Sequence, residues 1–354
     1  MTAAHTILDR AADRPFLAIR RAVRETLRRA IAAPGEAPLV LVALSGGADS
    51  LALAAALAAE GPRLGIRAGA LVIDHGLQPG SAEVARTAAA QATAWHLDPV
   101  LVRRIAVPDA APGGPEAAAR TARYAAFAAA AAESGARAVL TGHTRSDQAE
   151  QVLLGLARGS GLRSIAGIPP HRELGPGCVL LRPFLAPDPE ITRATTAASC
   201  ARLGVTPWSD PHNADPRYAR VRVRDRVLPV IEGELGPGVA AALARTADLA
   251  AEDADALDAL AAEALHRARR EADAGGVALD AETLRVLPAA LRNRVIRQLA
   301  ATEFGAQLSR EHTATIAALV TDWRGQGPIP APGIRVRRAA GRLQFQAQVR
   351  DPAA

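Results

Sequence analysis

The sequence predicts an α/β fold: a doubly wound parallel sheet, followed by a smaller, mostly helical second domain. Three observations carry the prediction. Short apolar, β-rich runs alternate with Ala-rich helical stretches through the first 200 residues. The polar motifs fall just after those runs, at the strand ends where open parallel sheets bind ligands. From about residue 238 the alternation gives way to consecutive helical patterns.

Taken in order, residues 38–44 (PLVLVAL) read as a buried strand running into glycines, and 49–59 as the helix after it. Residues 68–74 form a second strand, followed by a helix over 81–96, and 100–105 a third strand. The Ala-rich stretch 115–134 is a long helix with proline in its first turn, where the missing N–H costs nothing. Residues 138–142 are a fourth strand before a helix over 146–156; 179–182 are a fifth before a helix over 188–203. The polar segment 208–226, rich in Pro and Arg, reads as the way out of the first domain, so the domains are 1–229 and 230–354. The second contains a helix from 238 to about 274, helical patterns over 281–299 and 309–321, and a hairpin within 333–348.

A chain of 354 residues holds roughly two domains. Hydrophobic residues make up 49% and charged residues 22%, a globular rather than disordered balance. Aromatics are only 3%, so Ala, Leu, Val and Ile must build the core. All 42 basic residues are arginine, which excludes a Walker A loop and a Schiff-base or pyridoxal enzyme, each of which needs a lysine. Cys178 and Cys200 support neither a disulfide framework nor a Cys₄ zinc site and read as small buried hydrophobes. Trp95, Trp208 and Trp323 read as packing residues. No apolar run reaches the ~18 residues of a membrane span, and the opening MTAAHTILDR lacks the features of a signal peptide. A cytoplasmic protein is expected. Residues 1–229 carry 27 Arg against 20 acids, and 230–354 carry 15 against 16. The basic front half fits a polyanion such as nucleic acid; an arginine-for-lysine bias that inflates the pI is the plain alternative.

The strongest motif is Ser45-Gly46-Gly47-Ala48-Asp49-Ser50, between strand and helix. Its glycines let a phosphate approach the backbone, and the helix start offers unpaired N–H groups. Asp49 is out of place in a pure anion cradle but suits Mg²⁺ held on the phosphates. The second motif, Asp74-His75-Gly76-Leu77 with Ser81 behind it, can contact a nucleotide or simply cap the next helix. The third, Gly142-His143-Thr144-Arg145-Ser146-Asp147-Gln148-Ala149-Glu150, places His143 four residues before Asp147. That is an acid–base pair, or a surface His beside a helix capped by Ser146, with Glu150 completing the box. A fourth feature is Arg217, Arg220, Arg222, Arg224 and Arg226. These suit phosphate contacts or form a solvated basic linker; the alternate spacing groups them on one side only if the segment is extended.

The first motif alone resembles the pyrophosphate loop of the ATP pyrophosphatase superfamily. Together the motifs resemble those of the bacterial tRNA(Ile)-lysidine synthetase family, in the same order: Ser45–Ser50, Asp74–Ser81, Gly142–Glu150, Arg158–Gly161, Gly167-Ile168-Pro169, then Arg182-Pro183-Phe184 and the stretch 208–215. The match covers most of residues 38–230. Pro330–Phe345 resembles the end of the family's second domain more loosely, and a third domain of longer members is not expected here. The chain departs from the family pattern at Gln78, Ser146, Gln151 and Val221, which leaves Asp147 as the single carboxylate of a usual pair.

The resemblance implies an ATP·Mg²⁺-dependent ligase. Cytidine 34 of the CAU-anticodon isoleucine tRNA is adenylated with release of pyrophosphate, and free L-lysine then displaces AMP to form lysidine. It assigns ATP to Ser45, Gly46, Gly47, Ala48, Asp49, Ser50, Asp74 and His75, and the metal to Asp49. It gives catalytic roles to Asp49, His143, Asp147 and Arg222, and tRNA or phosphate contacts to Arg217, Arg220, Arg222 and Arg224. No membrane is implied, and a homodimer is allowed. Three alternatives stay open: a tRNA-thiolating relative, a small-molecule amidating ligase of the same superfamily, and a non-catalytic RNA-binding relative.

Overall fold

The computed structural model describes residues 14–31, 37–76, 80–106, 114–159, 161–271 and 276–348; Leu77, Gln78 and Ser160 of the motifs lie outside them, as do the first residues of the chain. The chain divides into two compact units, Met1–Ala251 and Glu252–Ala354.

The first unit opens with a helix that the sequence reading does not include, α1 (Arg14–Ala30), which buries Phe16, Ile19, Val23 and Leu27 at helical spacing. It docks on α2 (Ala48–Glu60), where Glu60 is fully buried and takes Arg20 and Arg24 at 2.6 Å each. The central sheet contains β1 (Leu39–Ala43), β2 (Arg67–Asp74), β3 (Val100–Arg104), β4 (Ala138–Leu140), β5 (His171–Gly175) and β6 (Cys178–Leu181). Their order is β3-β2-β1-β4-β6-β5. All neighbours are parallel except β5, an antiparallel edge strand hairpinned onto β6 that the sequence reading does not foresee.

Helices α3 (Ser81–Ala94), α4 (Gly114–Ser134), α5 (Arg145–Ala157), α6 (Leu162–Ile165) and α7 (Arg193–Arg202) complete the alternation. The side-chain period of two splits the core across the sheet. Val40, Val42, Ala70, Val72 and Leu140 face a cluster built with α1 and α2, while Leu39, Leu41, Leu71 and Val139 face Phe127 and Ala130 of α4. In α2 every residue from Ser50 to Glu60 is buried. Alanine at most of these positions lets the helix sit close to its neighbours at little entropic cost. The doubly wound sheet therefore stands as expected.

Segment 208–226 is not an extended linker. It holds a 3₁₀ turn (Pro211–Ala214), the short helix α8 (Ala219–Arg222) and a π turn (Val223–Val227). Then follow α9 (Leu228–Leu235) and α10 (Val239–Ala268), the latter crossing the division between the units. The compact units thus divide 22 residues after the 229/230 boundary set from the sequence.

The second unit is less helical than expected. It contains α11 (Ala281–Arg285), α12 (Ala289–Phe304) and α13 (Arg310–Thr321). Beside them is a five-stranded antiparallel sheet of β7 (Arg269–Glu271), β8 (Val277–Asp280), β9 (Ile329–Ala331), β10 (Ile334–Ala339) and β11 (Arg342–Ala347), in the order β7-β8-β11-β10-β9. The hairpin read from residues 333–348 is its β10–β11 centre. The other three strands have three or four residues each, too short to show an alternating pattern. Val336, Leu343 and Phe345 pack with Val295, Leu299 and Ile316 as this unit's core.

Candidate active site

The strand order reverses between β1 and β4, and Ser45 and Thr141–His143 follow those two strands. This is the switch point where doubly wound sheets bind ligands. After β1 the chain turns through Gly46 in the left-handed region (φ 84°), which strains any residue with a side chain. Its carbonyl accepts the N–H of Trp208 at 2.9 Å, so the segment after α7 lies over the loop. Gly47 caps α2 with no side-chain bond, leaving the first-turn N–H groups available to an anion. Ser50 braces the loop: its Oγ accepts the Ser45 N–H at 3.1 Å and donates to the Gly47 carbonyl at 2.9 Å.

Asp49 points inward from this first turn, where Thr196 of α7 donates its hydroxyl to Oδ1 at 2.5 Å. Burial pushes the Asp49 carboxyl up to about 6; the Thr196 bond opposes the rise, and the charges of Asp147 and Glu150 add to it. Gly142 passes so close that a Cβ there would stand 3.0 Å from the Asp49 carbonyl carbon and oxygen. The thiol of Cys200 donates to the Ala48 carbonyl at 3.4 Å, and burial raises it to about 11, so it is an inert packing group.

The third motif folds differently from the Ser146/Glu150 capping alternative. Thr144 is the N-cap of α5, and Asp147 at N3 takes its N–H at 2.7 Å and its hydroxyl at 2.9 Å through Oδ2. Oδ1 of Asp147 takes Arg193 Nη2 at 2.5 Å, and the other Arg193 nitrogen reaches Glu150 at 2.5 Å. Burial favours the neutral acid at Asp147, but Arg193 and Arg220 outweigh it and hold the carboxyl below its ordinary range. Burial opposes the charge of Arg193, yet Glu150 and Asp147 raise its pKa. Glu150 is fully buried and also lies 3.1 Å from Arg220. The sequence reading did not include Arg193. The clue was a lone arginine opening a helix after a strand end, too common to stand out.

His143 follows β4 with Nδ1 3.2 Å from the Thr141 hydroxyl. Burial drives its pKa down to about 3 against the pull of Asp147, and the charges of Arg182, Arg123 and Arg220 lower it further. The imidazole is therefore neutral throughout the physiological range. His75, the residue after β2, is also pushed down, by burial and then by Arg123. Asp74 is turned into its own loop: Ser81 and the Gly76 N–H, the latter at 2.9 Å, hold it below the ordinary carboxylate range. These bonds fit the capping alternative as well as a nucleotide contact.

The arginine cluster separates. Arg220 enters the site at Glu150. Arg222 is exposed and donates to the carbonyls of Pro216 and Arg217 at 2.8 Å each, so it holds its own turn. Arg217 pairs with Asp215, and Arg224 with Asp225 and the Asn213 carbonyl. Successive alternate residues spread around a helical turn instead of lining one side. One further cation supports the site: Arg145, 4% exposed, makes a bidentate pair with Asp248 at 2.8 Å, fixing the start of α5 to α10. Among the described residues no group of three or more His, Cys, Asp or Glu is placed to hold a metal.

The sequence is similar to known proteins. The PP-loop domain family matches residues 19–231, and the TilS substrate binding domain matches 279–344. The tRNA(Ile)-lysidine synthase of Leifsonia xyli subsp. xyli is 58% identical over 313 residues, covering 88% of this chain and 90% of the relative. That of Salinispora tropica is 53% identical, covering 93% and 96%. The chain belongs to the tRNA(Ile)-lysidine synthase family. It is an ATP-dependent ligase of the PP-loop class. The U34-tRNA thiolase NcsA from Methanococcus maripaludis, with its [4Fe-4S] cluster, superimposes with a TM-score of 0.51 at 18% identity, over 66% of this chain and 78% of that one; this supports the shared fold alone. Among the described residues no single helix is long and apolar enough to cross a membrane.

Proposed function

We propose that the chain joins free L-lysine to C2 of cytidine 34 in a CAU-anticodon isoleucine tRNA, in the cytoplasm, using ATP in two steps. The observation that carries this reading is the meeting of the Ser45–Ser50 loop with Asp147, Glu150, Arg193 and Arg220 at one switch point, in a chain of this family. In the first step the C2 carbonyl oxygen of cytidine attacks the α-phosphorus of ATP, and the bond to pyrophosphate breaks. In the second the lysine ε-amine attacks C2, and AMP leaves with the oxygen.

The loop N–H groups hold the departing pyrophosphate. Asp49 suits Mg²⁺: among the described residues its Oδ2 takes no protein hydrogen bond, and a cation bound there would keep this buried acid ionised. Bound metal would neutralise phosphate charge. Neutral His143, with a pKa of about 3, is too weak a base to take the lysine proton, so its role is to orient the pyrimidine. Arg193 and Arg220 supply positive charge beside the phosphates, the role the sequence reading gave to Arg222. The thiolating alternative finds no paired cysteines: Cys200 is bonded to Ala48, and Cys178 lies on β6.

The test is incorporation of labelled lysine into the CAU-anticodon tRNA with ATP and Mg²⁺. Incorporation that requires ATP and disappears when cytidine 34 is replaced is the expected result. Pyrophosphate release without lysine transfer to this tRNA would move the substrate elsewhere in the superfamily.

A further inference from the structure

The β6–β5 edge of the first sheet carries a group of arginines to which the reading above gives no role. At its centre is Tyr124 of α4, whose ring meets Phe127 edge-on at 5.8 Å. Arg172, Arg120 and Arg123 place their guanidinium carbons 4.7, 5.1 and 5.9 Å from the centre of the Tyr124 ring. Arg182 donates Nη2 to the Tyr124 hydroxyl at 3.1 Å and Nη1 to the Pro169 carbonyl at 2.6 Å. Arg182 is only 2% exposed, and its buried Nε has no hydrogen-bond partner. Among the described residues no carboxylate is paired with any of these four arginines. Burial and mutual repulsion lower both Arg123 and Arg182, as expected of cations crowded without a counter-ion. Such an arrangement is costly unless an anion completes it.

Position and charge identify the anion. Arg182 follows β6 and Arg172 lies in the edge strand β5, whereas the nucleotide loop follows β1. With strands about 4.8 Å apart, β6 stands about 10 Å from β1. The loop has its own donors for the nucleotide in the first-turn N–H groups of α2. His143 feels the charges of Arg182 and Arg123, so the cage adjoins the pocket where the base would be presented. Arg120 and Arg172 are exposed, opening the cage outward. Four positive charges exceed what one carboxylate neutralises but match consecutive phosphates of a polymer.

We infer that Arg120, Arg123, Arg172 and Arg182, gathered around Tyr124, bind the phosphodiester backbone of the RNA strand on its way to His143. The inference rests on the tRNA reading for the identity of that strand and extends it to a site that reading does not assign.

The test is equilibrium binding of the full chain, without ATP, to the CAU-anticodon tRNA and to a ten-nucleotide single-stranded RNA across a salt series. The double variant Arg120→Ala/Arg172→Ala changes only exposed members, and a urea titration checks that it folds. Expected are about tenfold weaker binding near 0.1 M salt and a slope of log K against log salt shallower by about one to two. Equilibrium ATP affinity should stay unchanged. Equal RNA affinity and slope in variant and wild type would overturn the inference. So would a loss of ATP affinity with RNA binding intact, which would move the arginines to the nucleotide. A wild type that binds the short RNA but ignores the tRNA would defeat the tRNA reading alone, and the short-RNA series would still decide this one.

Discussion

Arg193 donates Nη2 to Oδ1 of Asp147 at 2.5 Å. Its second nitrogen holds fully buried Glu150, so one guanidinium compensates two carboxylates of α5. Removing it takes the cation from Oδ1 of Asp147 and leaves Glu150 paired with Arg220 alone among the described residues. Arg193→Ala should cost about 3 kcal/mol in a urea titration at pH 8. Because Asp147 is held below its ordinary pKa, this contribution is present above about pH 4 and fades as falling pH protonates the acid. A loss under about 1 kcal/mol at pH 8 would show that the pair is not needed to balance the site.

Asp49 has the opposite sign. Its carboxyl is raised to about 6, so between about pH 4 and 6 the folded state holds a proton that the unfolded state has released. Stability therefore falls as pH rises through that window, by about 3 kcal/mol for a rise of this size. Asp49→Asn removes the titration while its amide oxygen can still accept from Thr196. The variant should match wild type near pH 3.5, exceed it in stability at pH 7, and release no pyrophosphate from ATP. A stability difference that stays flat with pH would mean that Asp49 is not desolvated as the structure has it.

Arg220 and Arg222 are two residues apart and face different tasks. Arg220 meets buried Glu150, while Arg222 braces the Pro216–Arg217 turn from the surface. Arg220→Ala should lower the ligation rate by about a hundredfold, the scale for losing one charge-stabilising group. Arg222→Ala should stay within a few-fold of wild type and within about 0.5 kcal/mol in stability. Steady-state rates for the two variants decide it; the reverse ranking would restore Arg222 to the site.

Much of this was legible in the residues. The first four strands of the sheet and the Ser45–Ser50 turn follow from apolar runs that end in glycine or polar motifs, because a two-sided buried strand has no other way to appear in sequence. What was hidden depends on contacts made by the fold. α1 lies ahead of the motifs, and its arginines Arg20 and Arg24 gain meaning only when Glu60 is buried beneath them. Arg193 stands 43 residues from Glu150 and 46 from Asp147, so no local spacing announces the pair. The resemblance gives the catalytic role to Arg222 and keeps Arg220 as a phosphate contact; residue types alone do not rank the two, and only the short helix Ala219–Arg222, which turns alternate residues to different sides, separates them. Trp323, read as a packing residue, is 40% exposed and lies against Arg338.

Gly142 links the two halves of the switch point through space that a single methyl group would fill. Its φ is not in the left-handed region, so alanine there meets no backbone penalty and the effect is one of contact. The added Cβ would stand 3.0 Å from the Asp49 carbonyl carbon and oxygen and 3.2 Å from its Cβ. Those are atoms at the base of a helix, not the tip of a side chain, so α2 or β4 must give. The first turn of α2 carries both the loop N–H groups and Asp49, and it is the part that shifts most readily, because its first-turn N–H groups make no intrahelical bonds. Gly142→Ala should therefore destabilise the protein by about 1 to 3 kcal/mol, the cost of overpacking. ATP-dependent pyrophosphate release should fall much further than the folded fraction does, since misplacing reacting groups by an ångström costs about a hundredfold. Parallel urea and pyrophosphate assays on this variant separate the two effects; activity that declines only in step with the folded fraction would show that Gly142 serves packing alone.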